Sequence, residues 1–216
     1  MNIFEYFMLF IIYSFIGWII EVINEVITEK RFVNRGFLIG PYCPIYGLGV
    51  LLMVSLLNRY INDPIVVFIM SIVIFSMLEY FTSFVMEKLF KARWWDYTNR
   101  KFNINGRICL ETMIPFGVGG LIVMYAVNPF IVDLISNIPD SIFNFIVAIV
   151  FIIFLIDNII SFSIILGFRN TTFKAEKDNT MEITNKVKEI LTKQSKLSKR
   201  LVKSFPNLKV LRKRNK

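Results

Sequence analysis

Six carboxylates lie within, or at the inner ends of, stretches apolar enough to cross a bilayer: Glu21, Glu25, Glu79, Glu87, Glu111 and Asp157. An ionised group inside a span costs about 2.5–3.5 kcal/mol on insertion scales and usually faces a bundle interior or a wet cavity. Glu21 and Glu25 stand at i, i+4 and share a helix face, with Trp18 one turn before Glu21. Glu79, Ser83 and Glu87 make a second polar row. Arg35 and Arg107 oppose these acids from two glycine-containing helix starts, where backbone N–H groups could join them in holding an anionic group. The pattern supports a hydrated polar site open to the cytoplasm, binding a cation or an amine, or relaying protons. The competing reading is that arginines and tyrosines satisfy the acids, which then only hold the bundle together. Polar glue in membranes is more often Ser, Thr, Asn or Gln, and its worth is modest.

Missing residues narrow the chemistry further. There is no histidine, so the commonest general base and transition-metal ligand is absent. Two cysteines, Cys43 and Cys109, are too few and too isolated for a disulfide framework or a thiolate metal site. No Walker motif, serine nucleophile elbow or HExxH zinc site occurs. Neither a metal nor a cofactor is expected.

Five apolar stretches must position these groups, at residues 3–28, 40–58, 64–86, 108–131 and 142–168. A spanning helix needs about 20 residues. With the N-terminus outside, Lys30, Arg31, Arg35, the six basic residues from Lys88 to Arg107 and the 15 after residue 168 all fall inside, leaving only Arg59 outside. So 24 of the 25 basic residues lie on one side, the positive-inside signature. The fold class is therefore all-α: a polytopic membrane bundle of five transmembrane helices, N-out and C-in, with a basic cytoplasmic C-terminal helix. The chain is 55% hydrophobic with mean hydropathy +0.58, too apolar for a soluble domain. The first residues, MNIFEY, lack a basic n-region and a cleavage site and read as a retained span.

The net charge of +9 belongs to one region. Residues 1–168, the transmembrane domain, hold 10 basic and 12 acidic residues, whereas the tail, 169–216, holds 15 and 4. Beside a membrane such a tail meets anionic headgroups, and no nucleic acid partner is expected. Ile183, Val187, Ile190, Leu197 and Leu201 fall on an amphipathic pattern interrupted at Gln194, and Pro206 ends it. The expected placement is on the membrane surface, with a coiled-coil contact as the rival.

Span 2 opens with Gly36-Phe37-Leu38-Ile39-Gly40-Pro41-Tyr42-Cys43-Pro44, which cannot start as a regular helix, so helix proper is expected from about Tyr46. Irregular backbone at that depth must be shielded by protein or line a cavity. Tyr46-Gly47-Leu48-Gly49 matches Phe116-Gly117-Val118-Gly119 at an offset of 70, which suggests a parallel repeat of 1–60 and 64–131 with a binding site between the halves. Between spans 3 and 4, Trp94-Trp95-Asp96-Tyr97 reads as an interfacial anchor, or else as a lid with Asp96 paired to Arg107. The candidate pathway residues are Glu21, Glu79, Glu87, Arg35, Arg107, Asn34, Asp96, Trp18 and Tyr46.

Gly17-Trp18-Ile19-Ile20-Glu21, the run from Asn34-Arg35-Gly36-Phe37 to Tyr46-Gly47, Glu79-Tyr80, Glu87, Trp94-Trp95-Asp96-Tyr97 and Asn103-Ile104-Asn105-Gly106-Arg107-Ile108 also carry a resemblance. Over about residues 4–130 the chain resembles the bacterial membrane family described as "putative ABC-transporter type IV". That resemblance implies transport across the cytoplasmic membrane, with ATP hydrolysed by a separate subunit, since this chain has no nucleotide-binding domain. A permease-like subunit working as a homo- or hetero-oligomer is the leading expectation. The alternatives are a membrane-embedded enzyme acting on a lipid-linked substrate, and a scaffold or regulator recruiting a partner through its tail.

Overall fold

A computed structural model describes residues 1–174, 180–206 and 208–210. Four long helical segments follow the apolar stretches. Helix α1 runs Ile3–Glu29 behind a capping box made by Asn2 and Glu5. Asp63 accepts from Ile65 and Val66 to start the third segment, Pro64–Phe90, here α3. Leu110–Ile122 (α4), a π turn over Val123–Val127 and Asn128–Ser136 (α5) form one continuous rod. The π turn falls just before Pro129, whose missing N–H would break a regular ladder. The last long helix, α6, covers Asp140–Lys174. Each of these four is long and apolar enough to cross a membrane.

The second apolar stretch behaves differently. Helix α2 covers only Pro44–Leu57, 14 residues or about 21 Å, against a hydrocarbon core of about 30 Å. Residues 31–43 before it form no helix, as the Gly and Pro content requires. Asp157 of α6 holds this segment: Oδ1 accepts from Ile39 N at 3.1 Å and Oδ2 from Gly40 N at 2.9 Å. Ser161 Oγ donates to Asp157 Oδ1 at 3.1 Å. The irregular backbone is thus satisfied by protein, and Asp157, 9% exposed, is a structural acceptor.

Helices α1 and α3 both end on a left-handed lysine, Lys30 and Lys91, each with φ 52°. The chain then turns back to its next helix at the same end of the bundle. Between α3 and α4 lie strand β1 (Ala92–Arg93) and a small hairpin, β2 (Asn103–Ile104) with β3 (Ile108–Cys109). Close packing is made by glycines: a Cβ on Gly47 would meet Ser14 Oγ and Phe10, one on Gly117 would meet Phe68 and Ile72, and one on Gly120 would meet Ser71. One apolar core joins Leu9, Tyr13, Met53, Leu57, Val67, Phe75 and Met124.

The tail departs from expectation. It forms two helices, α7 (Thr180–Gln194) and α8 (Lys196–Ser204), broken where Ser195 caps α8, and then strand β4 (Lys209–Val210) paired antiparallel with β1. Val187, Leu191, Leu201, Leu208 and Val210 are buried against Phe90, Ala92, Trp94 and Ile165 in a second core. The protein therefore covers the tail's apolar face at Val187, Leu191 and Leu201, while Ile190 and Leu197 of the expected pattern stay exposed. Ile183 and Gln194 of the expected pattern lie outside the residues whose side chains are described.

Candidate functional site

The polar residues converge at the end of the bundle where α1 and α3 finish and α2 and α4 begin. Glu21 lies eight residues, about 12 Å, before the end of α1, and Glu79 eleven residues, about 16 Å, before the end of α3. Their charges are close enough to act on one another. Tyr46, in the first turn of α2, donates its hydroxyl to Glu21 Oε1 at 2.7 Å. Its ring fills the space beside Gly17, where a Cβ would overlap it. Tyr97 donates to Glu79 Oε1 at 3.3 Å. Burial, followed by the nearby carboxylates Glu79 and Glu21, pushes the Tyr97 phenol far above its usual range, so it stays protonated and donates.

The two carboxylates are compensated unequally. Arg35 Nε lies 3.7 Å from Glu21 Oε2, and its Nη1 lies 3.5 Å from Glu25 Oε2. Arg31 also pairs with Glu25. Glu79 has no cation within salt-bridge distance among the described residues, and its Oε2 is buried without a hydrogen-bond partner among them. Thr112 is near enough to act on Glu79, but its hydroxyl already donates to Cys109 O at 2.9 Å.

Deeper-lying Glu79 gives way at the mouth to a charge network. Glu87 takes Arg93 Nε at 3.0 Å and Arg107 Nη2 at 3.0 Å. Arg107, 7% exposed, also donates to Ser83 Oγ at 3.2 Å and stacks over Tyr80 and Phe84 at 5.6 and 5.5 Å. Asp96 pairs with Arg93 (3.5 Å) and Lys209 (2.6 Å), not with Arg107 as the lid reading required. Burial opposes its charge, yet hydrogen bonds from Lys209 and Thr98 hold it well below the usual carboxylate range.

Trp18 Nε1 donates to Asn34 Oδ1 at 2.8 Å, and Asn34 Nδ2 to Ile39 O at 2.8 Å, so these two shape the loop that carries Arg35. Trp94 is 3% exposed and packs edge-on to Phe37 and Phe205, which removes it from any anchoring position. Trp95 Nε1 donates to Arg107 O at 3.1 Å. Glu111, expected at the inner end of a span, forms a surface pair with Arg100.

Of the predicted residues, Glu21, Tyr46, Arg35, Glu79, Glu87 and Arg107 come together; Asp96 joins through Arg93, and Trp18 and Asn34 buttress. Sequence reasoning missed Tyr97 and Arg93. Tyr97 was visible in the Trp-Trp-Asp-Tyr run, but nothing local pointed it at Glu79, 18 residues away. Among the described residues no three His, Cys, Asp or Glu side chains converge to hold a metal ion. A separate apolar cleft of about 660 Å³, lined by Phe4, Phe7, Phe10, Leu51, Val147 and Phe151, opens far from these acids, between α1, α2 and α6.

Comparison with protein families finds one described as "Putative ABC-transporter type IV", matching residues 8–162. That span contains every polar residue of the site except Lys209, and stops short of the tail. Neither curated proteins nor solved structures yield a match.

Proposed function

The chain belongs to that family, and from this premise we propose that it is a permease-like membrane subunit whose acidic site, between α1 and α4, takes up a cation or a proton from the cytoplasm. One observation carries the reading: Glu79 sits deep in the bundle with a single tyrosine donor, while Glu21 beside it already has Arg35 and Tyr46. A carboxylate so placed either holds a proton or attracts a mobile cation, and both are transport chemistry. The arginines at the mouth are engaged by Glu21, Glu25 and Glu87, which leaves the negative charge of Glu79 to be met by what enters.

The topology follows the charge. Helix α2 together with residues 31–43 makes the fifth crossing, so that α1 and α3 run in the same direction and both deliver the basic residues that follow them, Lys30 and Arg31, Lys91 and Arg93, to the cytoplasm. The distribution of 24 of 25 basic residues supports N-out and C-in. The site then opens to the inside of a bacterial cytoplasmic membrane, and a separate cytoplasmic ATPase supplies energy. Five crossings make a thin wall, so the working form is an oligomer.

Affinity purification of the full chain in mild detergent, with mass spectrometry of what accompanies it, tests this. A stoichiometric cytoplasmic ATPase is the expected result. A bound lipid or a pure homo-oligomer with no ATPase would sink the ATP-driven reading.

A further inference from the structure

The family match ends at residue 162, yet the chain continues into α7, α8 and β4, which return to the polar site. Helix α8 grips the segment after α1. Arg200 donates from Nη1 to Gly36 O at 3.0 Å and from Nη2 to Phe37 O at 3.2 Å. Ser204 Oγ donates to Asn34 O, and Arg35 Nη1 donates to Ser204 O at 2.7 Å. This is the same Arg35 that faces Glu21 and Glu25.

Strand β4 grips the other loop. Val210 lies opposite Ala92 and Lys209 opposite Arg93, and Lys209 Nζ reaches Asp96 Oδ2 at 2.6 Å. Asp96 precedes Tyr97, the donor to Glu79. Between the two grips, Phe205 packs on Trp94 and Phe37 at ring distances of 5.0 and 6.3 Å.

We infer that α8 and β4 form a strap that closes the cytoplasmic side of the polar site by tying the loop that carries Arg35 to the loop that carries Tyr97. The inference rests on the reading of that site as a route from the cytoplasm. A solute moving between the loops must part them, and the strap crosses from one to the other. Its attachment suits release. The ladder is two residues long, many of its polar contacts are single side chains reaching loop carbonyls, and Lys209 is half exposed. The strap's apolar anchors are Leu201, Leu208 and Val210, so opening it parts these from Phe90, Trp94 and Ile165.

Native cysteines report the closure. Cys43 precedes α2 and Cys109 precedes α4, beside Glu21 and Tyr97 respectively, and both are buried, at 9% and 1% exposure. A membrane-impermeant maleimide is added to either face of sealed vesicles containing the full chain, and labelling of each cysteine is followed by peptide mass spectrometry. Val210→Asp places a charge in the buried strap and should raise labelling from the cytoplasmic face by about tenfold, whereas a rise from the other face alone overturns the strap. Unchanged labelling, with the tail made protease-sensitive, overturns the strap. Should that variant fail to accumulate, Ala92→Cys with Val210→Cys decides. The two positions face each other across an antiparallel pair, at a spacing a disulfide accepts. Its oxidised form should label Cys43 and Cys109 more slowly than its reduced form, and equal rates overturn the proposal. Labelling reads access whether or not anything is carried, so an opened site without transport counts against the permease reading alone.

Discussion

The helix pairs α1–α2 and α3–α4 are built alike and handle their buried charge differently. In each, a 27-residue helix ends on a left-handed lysine, the chain returns through a loop, and an arginine from that loop pairs with a glutamate near the helix end: Arg35 with Glu25, Arg107 with Glu87. In each, a glycine of the next helix lets it press against the first, Gly47 on Ser14 and Gly117 on Phe68. We propose from these parallels that the Tyr-Gly-Leu-Gly and Phe-Gly-Val-Gly runs mark two copies of one unit. One turn or more deeper the halves part. Glu21 shares Arg35 and receives Tyr46, whereas Glu79 receives Tyr97 and no cation among the described residues. A symmetric pair of ion pairs would be a strut. On the proposed function this asymmetry lets one carboxylate change partners, which a transport site needs and a strut does not.

The largest expected effect separates the two glutamates. Glu79→Gln should abolish cation or proton movement in reconstituted vesicles and leave the melting temperature in detergent equal or higher, because the amide needs no counter-charge in a buried place. Glu21→Gln should do the opposite in proportion. It removes a partner of Arg35 and should lower stability by about 1–3 kcal/mol, measured by thermal unfolding. Equal behaviour of the two variants would erase the distinction.

Next in size is Arg107→Met. The guanidinium is buried, joins Glu87 to Ser83 and covers two aromatic rings. Its loss leaves Glu87 with Arg93 alone and should cost about 3 kcal/mol. Arg107→Lys should recover part of that, since a lysine restores the charge but not the forked geometry. The corresponding change in the first half, Arg35→Met, is expected to cost less, because Arg31 still serves Glu25.

How much of this was legible beforehand depended on distance along the chain. The long helices followed from runs of apolar residues, and the convergence of Glu21, Arg35, Glu79, Glu87 and Arg107 from their placement at one end of each span. Short-range chemistry also read correctly: Gly and Pro in residues 36–44 predicted an irregular start to α2. What held that segment was not legible, because Asp157 lies 117 residues from the Gly40 N–H it accepts. What packs on the tail was not legible for another reason. An amphipathic helix has the same pattern whether lipid or protein covers it, and only the partners Trp94, Phe90 and Ile165 decide. The lid alternative paired Asp96 with Arg107, because Lys209, its closest cation among the described residues, sits in a tail read as separate.

A smaller effect probes the join between tail and site through pH. Asp96 is held below the ordinary carboxylate range in the folded protein, so its contribution is fully present above about pH 3.9, its unfolded value, and is lost as pH falls through its lower folded value. Lys209→Ala should make strap docking, followed by limited proteolysis of the tail, weaker by about 0.5–1 kcal/mol at neutral pH. It should also blunt the acid dependence of docking. An undiminished acid response would show that Asp96 acts through Arg93 alone.

The smallest expected effect is the most useful control on the comparison. Glu111 stands in the first turn of α4, in a stretch that reads as the inner end of a span, and on composition it ranks with Glu79. The fold places it outside the cluster, paired with Arg100 at 2.9 Å while both side chains are more than half exposed, at 57% and 61%. Such a pair is screened by water and salt and contributes about 0–1 kcal/mol. Glu111→Gln should therefore shift the melting temperature little and leave any cation or proton movement intact, measured beside Glu79→Gln in the same vesicles. If Glu111→Gln were as damaging as Glu79→Gln, negative charge at the cytoplasmic mouth would matter in bulk, as a field that gathers cations, and the particular environment of Glu79 would lose its claim to be the site.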